Sequence, residues 1–471
     1  MIQKRFGTLL VVILAALNLN TVTSLNVWPP LRSSQFEKNL PAKDEEVHVS
    51  LANAVFLADM EGSGSRLKRM VDRYNNIAAK SADKNLLPLH VIMSILDRSD
   101  ALPRIETDYS YNITITRDGG ATISANTNFG AQYAMETFLQ LQLSTNPLSF
   151  AADEESLIIQ DEPQFPWRGL MLDVGRRFST VSLVENLLDT MAAAKMNVLH
   201  FHASDYCRWS VESKVYPDLQ KNLAAGLPDE GYYSQEDIKH IVSYAADRGV
   251  RIVPEFDLPG HSFAMEVLAK GDGLQFCNST KTYTIYNDEE GKSLKVLKEL
   301  VKEMSDLFPD EVFHLGMDEV EYPAPCTAES TIALESELID YVMNELGKTP
   351  MGWDPISSAW NVTSDLVVNS YLSSANSKTF AESGWTVVDS SNYNWYFTHP
   401  AGWDWTDDCK PAGCAGPKGW DHCWLEPGGG AVGDAKDRVL GGEISVWTDD
   451  YAYPQVRVAI TCDVWRVTCD V

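Results

Sequence analysis

"RGLMLDVGRRFSTVSLVENLLDTMAAAKMNVLHFHAS", residues 168–204, contains a strand, a helix and a second strand in succession. Residues 168–174 and 197–204 are apolar runs of the length expected for buried strands, whereas residues 182–196 place apolar side chains at helical spacing. Two strands joined by a helix predict a parallel pair, because a parallel connection has to cross back over the sheet. This segment therefore predicts one unit of an α/β fold.

The same alternation continues toward the carboxyl terminus. "SQEDIKHIVSYAADRG" (234–249) predicts a helix with a serine N-cap and a terminal glycine. Eight strands separated by helices over about 300 residues favour a (β/α)8 barrel, also called a TIM barrel. The six strands that complete this count are predicted at residues 250–257, 311–318, 349–353, 365–371, 385–391 and 439–447.

Residues 25–160 predict a smaller α+β domain in front of the barrel. "YNITITRDGGATISA" (111–125) alternates apolar and polar residues around Asp-Gly-Gly, which is typical of a β-hairpin. Residues 130–142 predict an amphipathic helix. The segment 161–169 contains two prolines and marks a boundary, so we assign residues 161–471 to the barrel.

The composition indicates a globular protein of two or three domains, with 471 residues, 44% of them hydrophobic and 22% charged. A net charge of −28 argues against a nucleic acid or an anionic membrane as partner, because phosphate binding needs clustered lysine and arginine. No segment beyond the amino terminus is long and apolar enough to predict a membrane span.

The amino terminus predicts an export signal over residues 1–24. Lys4 and Arg5 precede the apolar run "LLVVILAAL" (9–17), which is short for a membrane span, so a retained signal anchor is the weaker alternative. We therefore expect a secreted protein or a lysosomal or vacuolar one. Three acceptor sequons for N-glycosylation agree with export, at Asn112, Asn278 and Asn361.

Eight cysteines in an exported chain predict disulfides. Cys409, Cys414 and Cys423 have a spacing that could mimic a metal site, but an oxidising compartment favours disulfides there. We therefore predict no metal and no cofactor.

The carboxyl ends of the predicted strands carry acids, a histidine and aromatic rings. An adjacent Asp-Glu pair in so acidic a chain is usually a solvated turn, and an isolated buried histidine is usually structural. Their joint occurrence with tyrosine and tryptophan at the end of a barrel where chemistry is located instead favours a carbohydrate site. The residues at these ends are Asp173, Asp205, Asp257 with His261, Asp318 with Glu319, Trp353, Tyr371, Tyr396 and Trp447.

Five motifs resemble successive signatures of the β-N-acetylhexosaminidases of glycoside hydrolase family 20. They are "FPWRGLMLDVGRRF", "NVLHFHASD", "VPEFDLPGH", "HLGMDEV" and "GGEISVW". The resemblance runs in the family's order from about Trp28 to Trp447. It implies hydrolysis of terminal N-acetylglucosamine, with N-acetylgalactosamine as a second candidate, from glycans or chitooligosaccharides. The expected partners are therefore N-acetylhexosamine-terminated glycans.

The resemblance also implies a retaining mechanism in which the substrate's acetamide oxygen is the nucleophile, through an oxazolinium intermediate. Glu319 would be the general acid/base and Asp318 its polarising partner. Tyr396 would donate a hydrogen bond to the acetamide oxygen, with Tyr393 as the competing candidate. We further predict that the neighbouring Asp318 carboxylate and partial burial raise the pKa of Glu319.

Other positions match substrate-binding and supporting residues of the family. Arg168 matches the arginine that binds the 3- and 4-hydroxyls of the terminal sugar, and Asp449 stands where a glutamate is usual. A disulfide between Cys277 and Cys326 is expected, because family members have a similarly placed pair. Trp353, Tyr371 and Trp447 would line the pocket, and Asp205, Asp257, His261 and His314 would support the acid pair.

Several positions depart from the family pattern. Met317 replaces a glycine before the acid pair, and Tyr206 and Thr398 replace acids. These changes keep two alternatives open, namely a lacto-N-biosidase-like enzyme and a secreted sugar-binding protein without turnover. The sequence also leaves open a homodimer. Because the family extends beyond "TCDVWRVTCDV" (461–471), either the eighth helix is incomplete or the chain is a fragment.

Overall fold

The structure is a computed structural model. It describes residues 25, 27, 29, 31–38, 46–82, 85–205, 208–221, 231–278, 283–354, 366–396, 427–428 and 433–448.

The amino-terminal part contains a six-stranded sheet and a two-stranded sheet. The predicted hairpin is confirmed, since β5 (Tyr111–Thr116) and β6 (Ala121–Thr127) pair antiparallel. The six-stranded sheet has the order β1-β8-β5-β6-β4-β3, and β2 pairs with β7. The remaining strands are β1 Ser33–Glu37, β2 Val47–Val49, β3 Ala54–Ala58, β4 Leu89–Asp97, β7 Leu148–Phe150 and β8 Ser156–Asp161.

The second part is a closed barrel of eight parallel strands, so the predicted fold class is confirmed. The last strand pairs with the first and thereby closes the ring. All eight predicted strands occur within a few residues of their predicted positions. They are β9 Trp167–Asp173, β10 Val198–Asp205, β12 Arg251–Leu258, β13 Val312–Gly316, β14 Thr349–Trp353, β15 Val367–Ser370, β16 Thr386–Asp389 and β17 Val439–Val446, with the short β11 (Arg208–Trp209) beside β10.

The helices follow the start signals of the sequence. Ser234 caps its helix through a reciprocal capping box with Asp237, and Thr180 caps the helix after β9 by accepting the backbone N–H of Leu183. No helix of the described ranges is long and apolar enough to cross a membrane. The helices are α1 Ser65–Ala78, α2 Asn128–Ser144, α3 Val181–Ala193, α4 Gln235–Ala246, α5 Leu268–Gly271, α6 Lys292–Leu307, α7 Ala328–Asp340, α8 Ser374–Glu382 and α9 Asn392–Trp395.

The α+β domain is packed against the amino-terminal end of the barrel through α2. Gln132 donates to the carbonyl of Arg248, and Tyr133 donates to the carbonyl of Lys195. The helix was predicted to be amphipathic, but 13 of its 17 residues are buried. A helix that has the sheet on one side and the barrel on the other is buried almost all round, which the helical period of one segment does not reveal.

The interior of the barrel is layered. Near the amino-terminal ends of the strands it is filled by an apolar cluster that includes Trp167, Val198, Val253 and Met351. Farther along the strands the interior becomes polar, and the fully buried side chains there include those of His200 and Glu255. The apolar cluster and the α+β domain close one end of the barrel, so the carboxyl ends of the strands form the accessible end.

Candidate active site

The acid pair follows directly after β13, on a backbone turn that L-residues rarely adopt. Met317 and Glu319 have φ values of 70° and 51°, on either side of Asp318. Gly316 also has a positive φ, and a Cβ there would collide with the Asp257 carboxylate. Non-glycine residues with positive φ are uncommon and persist where the surrounding structure holds them, often at functional sites. The turn therefore separates two adjacent acids into different environments.

Asp318 and Glu319 differ in exposure and in partners. The Oδ1 atom of Asp318 is enclosed and has no hydrogen-bond partner among the described residues, whereas the Glu319 side chain is 63% exposed. Glu319 Oε2 lies 3.5 Å from His261 Nε2, and His261 Nδ1 lies 2.7 Å from Asp257 Oδ2. An acid–imidazole–acid chain therefore reaches the outer carboxyl group, whereas one oxygen of the inner one has no hydrogen-bond partner among the described residues.

The pKa values of the pair follow these environments and correct one sequence-based prediction. Burial, followed by the charge of Asp257, raises the pKa of Asp318 well above its usual range. The hydrogen bond from His261 lowers the pKa of Glu319. The predicted rise in the pKa of Glu319 is therefore wrong for the unliganded protein. An imidazolium, which adjacency in sequence does not reveal, outweighs the neighbouring carboxylate.

Arg176 contributes a positive charge that the sequence analysis missed. Its guanidinium contacts Asp173 at 3.1 Å and Asp205 at 2.9 Å and lies 4.8 Å from the centre of the Trp447 ring. Burial alone would raise the pKa of Asp205, but Arg176 and the His202 hydrogen bond lower it to about 2. Position is the signal that could have found it, because Arg176 comes three residues after the strand-ending Asp173.

Arg168 is not part of this site, so its predicted role in sugar binding is corrected. It is the second residue of β9 and lies at the opposite end of the barrel, about 16 Å along the strand from Asp173. Its guanidinium donates to the carbonyls of Lys195 at 2.9 Å and Phe165 at 2.6 Å, and to the hydroxyl of Tyr133 at 2.7 Å. Arg168 therefore joins the barrel to the α+β domain.

The predicted aromatic residues come together around the acid pair. Tyr371 and Tyr396 are stacked with centroids 6.4 Å apart, and Tyr396 lies 6.0 Å from Trp447. Trp353 is only 1% exposed and lies behind them, 5.9 Å from Tyr371 and 5.8 Å from Trp447. Burial, followed by the charge of Asp318, raises the pKa of Tyr396 well above its usual range, which keeps the hydroxyl protonated and able to donate.

His314 supports the site indirectly. Its Nδ1 accepts the backbone N–H of Gly316 at 3.0 Å, and its ring is stacked on His200 at 4.7 Å. Burial lowers the pKa of His314 to about 3, so the ring is neutral. Its contact with the acid pair is therefore through the backbone turn and not through either carboxylate.

Groups of histidines and acids in the site have ligand atoms within 4.8 Å of one another, among them His202, Asp205 and Asp257. A metal needs neutral imidazole, but Glu255 and Asp205 outweigh burial and raise the pKa of His202 well above its usual range. Protonated histidine fits hydrogen bonding better than metal ligation here. The absence of a metal stays a prediction.

Two more predictions have outcomes here. Cys277 and Cys326 form the predicted disulfide. Met317 is 2% exposed and belongs to the main hydrophobic cluster, so its side chain is packed in the core. The positions that lie outside the described residues are Tyr206, Asn361, Thr398, Asp449, the side chain of Tyr393 and the cysteines other than Cys277 and Cys326.

Comparison with known proteins agrees with this geometry. The sequence model "Glycosyl hydrolase family 20, catalytic domain" matches residues 165–459, and "beta-acetyl hexosaminidase like" matches residues 17–141. The chain belongs to glycosyl hydrolase family 20. The family predicted from the motifs is thereby confirmed.

Relatives within family 20 are only distantly similar. The chain is 29% identical to the β-hexosaminidase subunit beta of Entamoeba histolytica over 381 residues, covering 74% of this chain and 66% of that protein. It is 33% identical to the human β-hexosaminidase subunit beta over 248 residues, covering 52% and 43%. The chain thus spans about two fifths to two thirds of the length of these two relatives.

Solved structures of the family share the fold. The GH20 β-N-acetylhexosaminidase from Streptomyces coelicolor A3(2) has a TM-score of 0.71 with 22% identity, over 96% of this chain and 92% of that one. The GH20 exo β-N-acetylglucosaminidase from Vibrio harveyi, in complex with N-acetylglucosamine, also has a TM-score of 0.71, with 20% identity and coverage of 96% and 74%. These likenesses show that both parts of the chain have the family's architecture.

Proposed function

We propose that this family 20 protein is an exo-β-N-acetylhexosaminidase. It would remove terminal N-acetylglucosamine, with N-acetylgalactosamine as the second candidate sugar, from glycans or chitooligosaccharides. The observation that carries the proposal is the acid pair, in which Asp318 is enclosed beside Tyr396 while Glu319 faces the solvent next to His261. One buried and one accessible acid meet the different needs of an acetamide and a leaving group.

The proposed reaction uses the substrate's own acetamide. Its carbonyl oxygen attacks the anomeric carbon while the glycosidic bond breaks and Glu319 protonates the leaving oxygen. Asp318 accepts a hydrogen bond from the acetamide N–H and offsets the positive charge of the oxazolinium. Water then adds to the anomeric carbon and breaks its bond to the oxazolinium oxygen, which restores the acetamide, while Glu319 as the base takes the proton of the water. An intramolecular nucleophile arrives already oriented, which is worth roughly 7–11 kcal/mol of the barrier.

The proton distribution of the free protein limits this reaction. The chemistry needs a proton on Glu319 and a charge on Asp318, whereas the lowered pKa of Glu319 and the raised pKa of Asp318 favour the reverse arrangement. This observation keeps the second candidate, a sugar-binding protein without turnover, in competition.

The remaining groups would bind the sugar ring. Trp447, with Arg176 packed near its ring, and Tyr371 offer the apolar and polar surfaces that a pyranose presents. Arg176 replaces Arg168 as the candidate for the ring hydroxyls, because its guanidinium fork lies at the carboxyl end of β9.

One experiment separates the candidates. The full chain is assayed on an aryl N-acetyl-β-glucosaminide, on the galactosaminide and on the β-glucoside that lacks the acetamide. Hydrolysis of the first and near-inertness of the glucoside support the proposal, and the galactosaminide decides the second sugar. Binding of N-acetylglucosamine without hydrolysis supports the sugar-binding candidate. Release of an intact disaccharide from an aryl lacto-N-bioside would instead support a lacto-N-biosidase.

Export is proposed separately, as secretion or lysosomal or vacuolar delivery after removal of a signal peptide. Its support is the exposed sequon at Asn112, on the solvent face of β5. Treating the expressed protein with an N-glycosidase should lower its mass, and Asn112→Gln should remove part of that change. Asn278→Gln, at the second described sequon, should remove a further part of it. A homodimer stays a prediction, tested by light scattering of the purified chain.

A further inference from the structure

One fully buried carboxylate in the barrel interior is connected by hydrogen bonds to two different sides of the candidate site. Glu255, in the middle of β12, is 0% exposed. Strand register places it beside His202 of β10 on one side and His314 of β13 on the other. It lies below the acid pair, and the proposed reaction does not use it.

Its first oxygen holds the ring at the back of the pocket. Trp353 Nε1 donates to Glu255 Oε1 at 2.7 Å. Trp353 in turn contacts Tyr371 edge-on and Trp447 at 5.8 Å. A buried tryptophan with its N–H bonded to a carboxylate has one preferred orientation, so Glu255 limits where these two rings can lie.

Its second oxygen holds the charged side of the pocket. His202 Nδ1 forms a very short contact with Glu255 Oε2, and His202 Nε2 lies 2.9 Å from Asp205 Oδ2. Asp205 is the partner of Arg176. The His202 ring also meets Trp447 edge-on at 5.0 Å. The contacts of both Glu255 oxygens therefore lead to Trp447, one through Trp353 and the other through His202. The contacts through His202 also lead, by way of Asp205, to Arg176.

We infer that Glu255 is a positioning residue that orients Trp447 and Arg176 for the sugar. The inference rests on the proposed function for the identity of the ligand. It assigns two tasks to one carboxylate, holding the Trp353 indole and holding the His202 imidazolium, and both of these rings contact Trp447. The charges agree, since Glu255 and Asp205 outweigh burial and raise the pKa of His202.

The chain supplies a matched control in Glu443. It is also 0% exposed and lies on the other side of His200, whose Nδ1 is 2.9 Å from Glu443 Oε1 and whose Nε2 is 2.9 Å from Glu255 Oε2. The other bonds of Glu443 are to Trp167 and Asn369, below the pocket. A purely structural role for Glu255 predicts equal consequences for the two substitutions.

The test compares Glu255→Gln with Glu443→Gln in the full chain. We expect Glu255→Gln to raise KM by about 10- to 100-fold, as misplaced binding groups do, with a smaller change in kcat. In NMR of histidine-labelled protein, the His202 imidazolium of this variant should lose its proton at a lower pH than in the wild type. Glu443→Gln should leave both measurements as in the wild type, even if its melting temperature falls. Equal changes in KM for the two variants would overturn the inference.

Glu255→Gln leaves the His202 imidazolium without its carboxylate partner and can fail to fold. Trp353→Phe then decides, because it removes the N–H that Glu255 accepts, together with part of the ring, and leaves the contacts of Glu255 with His202 and His200 in place. We expect KM to rise in this variant, and an unchanged KM would contradict the role of Glu255. If the wild type lacks turnover, the proposed function fails separately, and the dissociation constant of N-acetylglucosamine replaces KM. If the wild type binds no sugar either, the titration of His202 alone decides, and equal titrations in the two glutamine variants overturn the inference.

Discussion

The two ends of the barrel bury opposite charges and differ in whether the buried charged groups have partners. At the amino-terminal end the buried cations have dedicated partners. Arg251 forms two bonds with Asp310, at 2.9 and 2.7 Å, and Lys195 contacts Asp161 at 3.2 Å. At the carboxyl end Asp257 and Asp318 each keep one enclosed oxygen without a partner among the described residues. The Lys195–Asp161 pair joins the two domains, whereas the unpartnered oxygens of Asp257 and Asp318 lie at the end where the candidate site is.

This difference predicts which substitutions should lower the stability of the protein and which should lower its activity. Removing one member of a paired buried charge is strongly destabilising, because it strands the other member. Removing an unpaired buried carboxylate relieves a cost that the fold already carries. Substitutions at the two ends can therefore test whether one end contributes mainly to stability and the other mainly to activity.

The largest effect is expected from Glu319→Gln. Loss of the general acid should lower turnover of substrates with poor leaving groups by about 10²–10⁴-fold. Activated aryl leaving groups need little protonation and should suffer less. The melting temperature should change little, because the side chain is 63% exposed and glutamine can still accept a hydrogen bond from His261. Steady-state kinetics on both substrate types checks this, and equal losses on the two would count against the assignment.

Asp318→Asn should lower turnover by about 10²–10³-fold, the usual worth of one group that stabilises transition-state charge. Binding of neutral N-acetylglucosamine should weaken far less. The fold disfavours the charged form of Asp318, so wild-type stability falls as pH rises from the unfolded pKa toward the raised folded pKa. The asparagine variant should gain relative stability over that range in thermal unfolding. Trapping a glycosyl ester on either acid would contradict the mechanism.

Arg168, in β9, and Arg176, three residues after the end of that strand, provide a direct comparison of the two ends. Arg176→Lys keeps the charge but loses the fork, and it should raise KM about tenfold, since a charged hydrogen bond is worth about 1.5–3 kcal/mol. Arg168→Lys should leave KM unchanged and lower the free energy of unfolding by about 1–3 kcal/mol for each carbonyl left without a donor. Kinetics and urea unfolding of both variants check this. A raised KM in Arg168→Lys would restore the sequence-based assignment.

The smallest effect concerns pH. His261 lowers the pKa of Glu319 through a hydrogen bond and that of Asp318 through its charge. In His261→Asn both pKa values should rise, so Glu319 keeps its proton to higher pH and Asp318 ionises later. The whole profile of kcat/KM against pH should move to higher pH. A profile that keeps its position, or moves to lower pH, would show that His261 does not control the pair.

Much of the site could be predicted from sequence because strand ends are local features. Asp257, Asp318, Tyr371 and Trp447 all lie close to the end of an apolar run, and parallel strands bring such ends together. Arg168 was misplaced because it begins the same run that Asp173 ends. A resemblance locates the motif but not the end of the strand on which each side chain lies.

The sequence by itself determined the eight strands, the barrel and the family. Strands buried on both faces are continuous apolar runs, and such runs can be recognised in the sequence alone. Only the tertiary structure decided which acid has the lowered pKa, which arginine lies at the acid end of the barrel and that Glu255 contacts both His202 and Trp353. The physical reason is that a strand buried on both faces does not alternate between apolar and polar residues. The sequence therefore does not show which side chains face the barrel interior or how the strands are in register. The charge of a carboxyl group depends on neighbours from other strands, which only the folded barrel brings within a few ångströms.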